Sequence, residues 1–214
     1  MREIIAADPI AAVITAALDY ISEKSSAEVH IGLTGGRSGN AIAHRLIAHC
    51  ADNPKVHFWF SDERFVPRND VARNDFDLPQ NTRCHIHSIS SSDDVASPQD
   101  AAAHYASEIH QSLTKRFCAD NSLMDICILS IGPDGHIASL FPEHLALDST
   151  LAVVAVTDSP KPPAQRVSWT YPTINASRQV WLIATGSEKS HAVSLLRAGS
   201  EFHFLPAAGV VGKD

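Results

Sequence analysis

The chain has 214 residues, 44% of them hydrophobic and 19% charged, which suits one large or two small domains with a substantial core. Seventeen basic against twenty-four acidic residues give a net charge of −7, which argues against non-specific binding to nucleic acid or to an acidic membrane but leaves room for a local basic pocket. No stretch approaches the ~18 uninterrupted apolar residues of a membrane span.

In chain order, the opening apolar run is broken by Asp8-Pro9 and continues amphipathically, so it is not a signal-peptide core. Asp8 and Pro9 instead open a helix through about residue 23, with Ile10, Val13, Ile14, Ala17 and Ile21 on one face. Residues 28–34 ("EVHIGLT") read as a strand. Ser38 is expected to cap a helix in which Ile42, Leu46 and Cys50 recur every four residues. Residues 55–60 ("KVHFWF") form an aromatic-rich strand, and a short strand follows near 83–87. A helix over about 98–118 carries the stripe Tyr105, Ile109, Leu113 and Phe117. Residues 124–131 ("MDICILSI") have the unbroken apolar character of a strand buried on both faces of a parallel sheet. Residues 151–156 and 179–185 add further strands, and residues 186–199 a helix ended by Gly199.

Alternating strands and helices, with no internal repeat and only two linker-like stretches (88–100 and 158–165), predict a single α/β domain over residues 1–214. Its sheet is mostly parallel and covered by helices on both faces. Cys50, Cys84, Cys118 and Cys127 show neither CxxC nor zinc-like spacing and read as reduced, mostly packed thiols of a cytoplasmic protein.

Ligands of open α/β sheets bind beyond the carboxyl ends of the strands. Four such ends here carry small, acidic, basic and imidazole groups: Thr34-Gly35-Gly36-Arg37-Ser38, Ser61-Asp62-Glu63-Arg64, Gly132-Pro133-Asp134-Gly135-His136 and Gly186-Ser187-Glu188-Lys189. Gly35 and Gly36 suit a backbone that approaches a ligand closely, with the next helix N-terminus aimed at an anion; a plain glycine turn serves equally on this stretch alone. It is neither a nucleotide P-loop nor a GxGxxG fingerprint. Arg64 suits a phosphate, with Asp62 or Glu63 orienting a hydroxyl or a catalytic group, although a solvated charged loop also explains these residues. The proline-rich approach to Arg166 is stiff enough to hold it over a pocket, although a plain surface loop also explains this stretch taken alone. Lys189 in the first turn of a helix opposes the dipole, a conflict that a bound anion would remove, and a flexible exposed lysine is the competing explanation.

His136 is the leading candidate for chemistry. An imidazole with an ordinary pKa near 6.5 accepts a proton from water at physiological pH, and Asp134, two residues earlier across a turn, is placed to fix its tautomer. A purely structural turn histidine is the competing explanation. His85 and His87 share a strand face without a third metal ligand at helpful spacing and read as surface residues, and the remaining histidines, His30 and His57 among them, show no constellation.

In order along the chain, "LTGGRSG" (33–39), "DERFVPRNDVARND" (62–75), "SIGPDGHIASLFP" (130–142), "DSPKPPAQRVSWTYPTINASRQVWLIATGSEK" (158–189) and "LPAAGVVG" (205–212) resemble the 6-phosphogluconolactonases. These group with glucosamine-6-phosphate deaminases and ribose-5-phosphate isomerases in a Rossmann-like superfamily. The resemblance implies hydrolysis of 6-phospho-D-glucono-1,5-lactone to 6-phosphogluconate in the oxidative pentose phosphate pathway. It implies no metal or organic cofactor, a small sugar-phosphate partner and a monomer. His136 would activate water, supported by Asp134. The glycine loop (Gly35, Gly36, Arg37, Ser38), Asp62, Arg64, Arg166 and Lys189 would hold the substrate.

A deaminase or isomerase of the same superfamily is disfavoured, because its catalytic glutamate five residues beyond the histidine is replaced by Phe141. A non-catalytic sugar-phosphate sensor is disfavoured by the presence of His136. Arg37 stands where many members have a small polar residue, so it either adds a phosphate contact or narrows the pocket. The 214 residues do not contain the last strand, with its Trp-x-x-Asp pattern, that is usual in the family, and the expected consequence is for stability more than for chemistry.

Overall fold

A computed structural model describes residues 3–24 and 26–214. Its framework is a five-stranded parallel sheet of β1 (Val29–Leu33), β2 (Val56–Phe60), β4 (His85–His87), β5 (Ile126–Ser130) and β8 (Gln179–Ile183), in the order β4-β2-β1-β5-β8. Every residue of β1, and all of β5 but Ser130, is buried, as central parallel strands covered on both faces require. Helices α1 (Pro9–Glu23) and α2 (Gly36–His49) pack against one face.

The Asp8 side chain accepts from Ala11 N at 3.0 Å and caps α1, whose Ile14, Ala17 and Ile21 turn inward. Burying each isoleucine contributes about 1.5–3 kcal/mol. The start of α2 differs from expectation. Its N-cap is Gly35, with no side-chain cap, and Ser38 is buried with its Oγ 2.7 Å from Thr185 Oγ1, which ties the helix to the end of β8.

The opposite face carries α3 (Pro98–Asp120) and a second sheet that is antiparallel, made of β3 (Asp62–Arg64), β6 (Val153–Val156) and β7 (Arg166–Trp169) in the order β3-β7-β6. The apolar run at 151–156 therefore belongs to this small sheet and not to the parallel one. Ser97 caps α3 by accepting from Asp100 N; Tyr105, Ile109 and Leu113 are buried, while Phe117 is 39% exposed and lies outside the packed stripe. The short helix α4 (Tyr171–Ile174) follows β7.

The expected helix after residue 186 is divided into a 3₁₀ turn at Ser187–Lys189 and α5 (Ser190–Arg197). Gly199, at φ 77°, ends it, with Ser200 N donating back to the Leu195 carbonyl. All four cysteines are free, and only Cys118 is exposed. Among the described residues no helix is long and apolar enough to cross a membrane.

Candidate active site

The chain leaves β5 through a turn that encloses His136. Gly132 N–H donates to the His136 carbonyl at 2.9 Å and Gly135 N–H to the Gly132 carbonyl at 3.0 Å, with Gly135 at φ 82°. Gly132 leaves the space in which the imidazole sits, for a Cβ there would lie 1.9 Å from His136 Nδ1. The ring rests on Phe141, with centroids 5.0 Å apart, and its Nδ1 lies 2.5 Å from Asp134 Oδ1.

Lys161 completes the cluster, its Nζ 3.0 Å from Asp134 Oδ2 and 2.9 Å from His136 Nδ1. Burial alone would raise the Asp134 carboxyl, but the hydrogen bonds and charges of His136 and Lys161 outweigh it and hold the group well below the usual carboxylate range. An ionised carboxylate only accepts, so its contact with Nδ1 requires the proton on that nitrogen, and the Lys161 ammonium, a donor only, directs its hydrogens to the two Asp134 oxygens and not to Nδ1. The Nε2 lone pair is then left bare, and Nε2 has no hydrogen-bond partner among the described residues.

A cationic rim surrounds this dyad. Lys189 Nζ donates to Ser130 Oγ at 3.0 Å; partial burial lowers its pKa, Glu188 raises it, and the nearby charges of Arg37 and Lys161 lower it further. Arg166 is buried, and its guanidinium donates to the carbonyls of Lys161, Pro162 and Pro163 at 2.8–3.1 Å, leaving Nη1 without a protein partner among the described residues. Burial also pushes the Arg166 pKa down; Asp62 opposes this and Arg64 adds to it. Arg64 faces Arg166 directly across the β3–β7 pairing. Two buried or half-buried guanidiniums side by side, with cations beyond them, form a site that an anion would relieve. Arg64 is partly committed elsewhere, since its Nη1 donates to the Ala72 carbonyl while its Nε is buried without a partner among the described residues.

The glycine loop closes the other side. Gly35 has no room for a side chain, because a Cβ there would meet Asn74 Oδ1 at 1.9 Å. Without a side-chain cap, the first N–H groups of α2 point outward from this loop. Asn74 is fixed by donating to the Asp62 carbonyl at 2.7 Å, and its Oδ1 is buried with no partner among the described residues. Asp62 is buried and accepts from Ser139 Oγ at 2.7 Å, so it braces the segment just after His136. Glu63 is enclosed and accepts from the backbone N–H groups of Arg64, Asn74 and Asp75. Burial, with Asp75 nearby, pushes its carboxyl pKa up, and Arg73 and the N–H donors oppose that.

The sequence of residues 3–214 matches the family model described as glucosamine-6-phosphate isomerases/6-phosphogluconolactonase. The chain belongs to this family. A 6-phosphogluconolactonase of Streptomyces coelicolor is 36% identical, across 99% of this chain and 86% of its own length. That of Mycobacterium tuberculosis is 40% identical, across 86% and 78%, and the human enzyme is 35% identical, across 83% and 72%. The crystal structure of the Thermotoga maritima 6-phosphogluconolactonase superposes with a TM-score of 0.76 at 24% identity, covering 95% of this chain and 91% of the other. A monomeric glucosamine-6-phosphate deaminase also superposes, at 0.71 and 19% identity, so the fold is common to both branches of the family.

Within this family frame the structure gathers His136, Asp134, Lys189, Arg166 and the glycine loop at one edge, with Arg64 behind Arg166 and Asp62 behind Ser139. Lys161 is the site residue that sequence reasoning missed, although it stands inside the quoted "KPP" motif; its reach to His136 depends on how the loop folds back. The histidines left unconnected by their spacing are also corrected. His30, His57 and His85 stack across three neighbouring strands, with centroids 4.4 and 4.3 Å apart, and His87 lies flat on Trp59 at 3.5 Å.

Proposed function

We propose that this protein hydrolyses 6-phospho-D-glucono-1,5-lactone to 6-phosphogluconate, with His136 as general base. The observation that carries this reading is the Asp134–His136 pair, with a bare Nε2 set inside a rim of cations. It accords with the 6-phosphogluconolactonase names of the curated relatives.

Nε2 takes a proton from water as the water oxygen attacks the lactone carbonyl carbon. The negative charge that develops on the carbonyl oxygen is met by the cationic rim in a partly desolvated setting. The bond from carbon to ring oxygen then breaks, and the imidazolium returns its proton to that oxygen. Asp134 stabilises the imidazolium between the two steps. Arg166, Lys189 and the α2 N-terminus hold the phosphate, with Arg37 beside Lys189 at the rim.

Deamination needs a carboxylate near the imidazole from five residues on, and Phe141 there presents a ring face instead. The test is hydrolysis of freshly generated lactone, coupled to 6-phosphogluconate dehydrogenase and corrected for spontaneous opening. An enzyme-proportional acceleration that His136→Ala loses, while 6-phosphogluconate still binds, is expected. Product binding without acceleration by the folded wild-type chain would establish a sugar-phosphate sensor instead.

A further inference from the structure

Asn74 is wholly buried and lies directly behind the glycine loop. A Cβ on Gly35 would stand 1.9 Å from its Oδ1, 2.4 Å from its Cγ and 2.6 Å from its Nδ2, so the flat carboxamide rests against the bare Cα of Gly35. Gly35 itself adopts φ −89° and ψ −165°, an extended conformation open to any residue. It is therefore the Asn74 amide, and not the backbone, that demands glycine at this position. Gly36 beside it, at φ 77°, needs glycine for its conformation.

Two successive glycines make a loop that is loose by nature, whereas an anion cradle works best when its N–H groups are held in place beforehand. One strut is Ser38, tied to Thr185 at 2.7 Å. Asn74 supplies the other from the opposite side. Its Nδ2 donates to the Asp62 carbonyl at 2.7 Å, and its backbone N–H donates to the two Glu63 carboxylate oxygens at 2.8 and 2.9 Å. Its neighbours are clamped as well, with Arg73 Nε donating to Asp75 at 2.6 Å and Arg73 Nη2 to the Ile89 carbonyl at 2.7 Å. The one unengaged atom of the amide is Oδ1, which has no hydrogen-bond partner among the described residues and faces Gly35. A buried amide oxygen left unpaired is unfavourable, and a C–H···O contact with Gly35 compensates little. An apolar side chain would fill the space without that loss, but it could not be anchored through Asp62.

We propose that Asn74 is the positioning residue of the phosphate cradle: its anchored amide sets the place of Gly35, and with it the direction of the first N–H groups of α2. Substrate affinity then depends on a side chain buried behind the loop. The inference rests on the reading of the glycine loop as the phosphate cradle. Affinity should respond and the rate of chemistry should not. His136 is held by Asp134 and Phe141, and Asp62 grips Ser139 through its carboxylate while Asn74 uses only its backbone carbonyl.

Calorimetric titration of the full chain with 6-phosphogluconate and with inorganic phosphate, beside kcat and KM for the lactone, tests this. Asn74→Ala should weaken both anions and raise KM about tenfold, with kcat within about twofold of wild type. Gly35→Ala, which drives a methyl group into the amide, should weaken them by about 100-fold or more. The two changes together should bind better than Gly35→Ala alone, close to the Asn74→Ala level, because the obstructing amide is gone. A loss of general stability would instead make the two effects add. Asn74→Ser gives the same readings should Asn74→Ala fail to fold. Unchanged affinity in these Asn74 variants, additive losses in the double variant, or a kcat that falls as far as KM rises would overturn the inference. The binding titrations need no turnover. A wild-type chain that binds 6-phosphogluconate without opening the lactone would refute the lactonase reading and still decide the role of Asn74, whereas one that binds neither anion overturns both.

Discussion

Replacing Gly132 by alanine is the sharpest probe of how His136 is held. The backbone there does not adopt a left-handed φ, so alanine is compatible with the local conformation. Its Cβ, however, would stand 1.9 Å from His136 Nδ1, 2.1 Å from Cε1 and 2.5 Å from Asp134 Oδ1, against ordinary contacts of 3.4–4 Å. The imidazole must therefore retreat by roughly 1.5 Å, and it cannot do so while keeping its Asp134 contact. A misplacement of about 1 Å in a reacting group costs on the order of 10²-fold in rate. That corresponds to about 2.7 kcal/mol of activation free energy. The coupled lactone assay, corrected for the spontaneous reaction, should show kcat reduced by about two decades or more. Product affinity, measured by calorimetry, should change little, because the phosphate is held elsewhere. A Gly132→Ala enzyme with kcat within about twofold of wild type and an unchanged unfolding temperature would refute this geometry.

Asp134→Asn should lower kcat by about 10²-fold or more, since the amide no longer requires the proton on Nδ1, and kcat and KM measured separately would show KM nearly constant. Glu63→Gln should destabilise the chain by ~1–3 kcal/mol in urea unfolding, because an amide cannot accept from all the N–H groups that now meet the carboxylate. Lys189 has a lowered pKa in the free protein, and a bound phosphate would raise it again. Product affinity should therefore be full below that lowered value and decline as pH rises through it; Lys189→Gln should bind more weakly and flatten this pH dependence in calorimetric titrations.

The parallel sheet is legible from single segments, because central strands such as residues 124–131 must be apolar on both faces and announce themselves without alternation. The turn that carries His136 is legible for a related reason: glycine, proline and aspartate before a histidine leave few alternatives. What hides is anything defined by pairing between distant segments. β7 has only four residues and begins with a charged one, so nothing local marks it as a strand. The residues at 151–156 carry a strand pattern that does not say which sheet they join. Lys161 reads as one more surface lysine until the loop folds onto Asp134. Ser38 has the right chemistry for a cap, yet Thr185 competes for its hydroxyl from the far end of the chain. The histidine row is invisible for the same cause, since its members lie 27 and 28 residues apart and meet only through strand register.

Arg166 grips three carbonyls of the loop just before it, and one of them belongs to Lys161, whose ammonium reaches the Asp134–His136 pair. On the proposed reading, the group that senses the phosphate and the group that trims the base hang from one short strap. A phosphate drawing on Arg166 is then felt at the reacting carbon, without any domain having to move. A lactone lacking its phosphate would suffer twice, in residence time and in the readiness of the base, so selectivity for phosphorylated sugars would be expressed in turnover as well as in affinity.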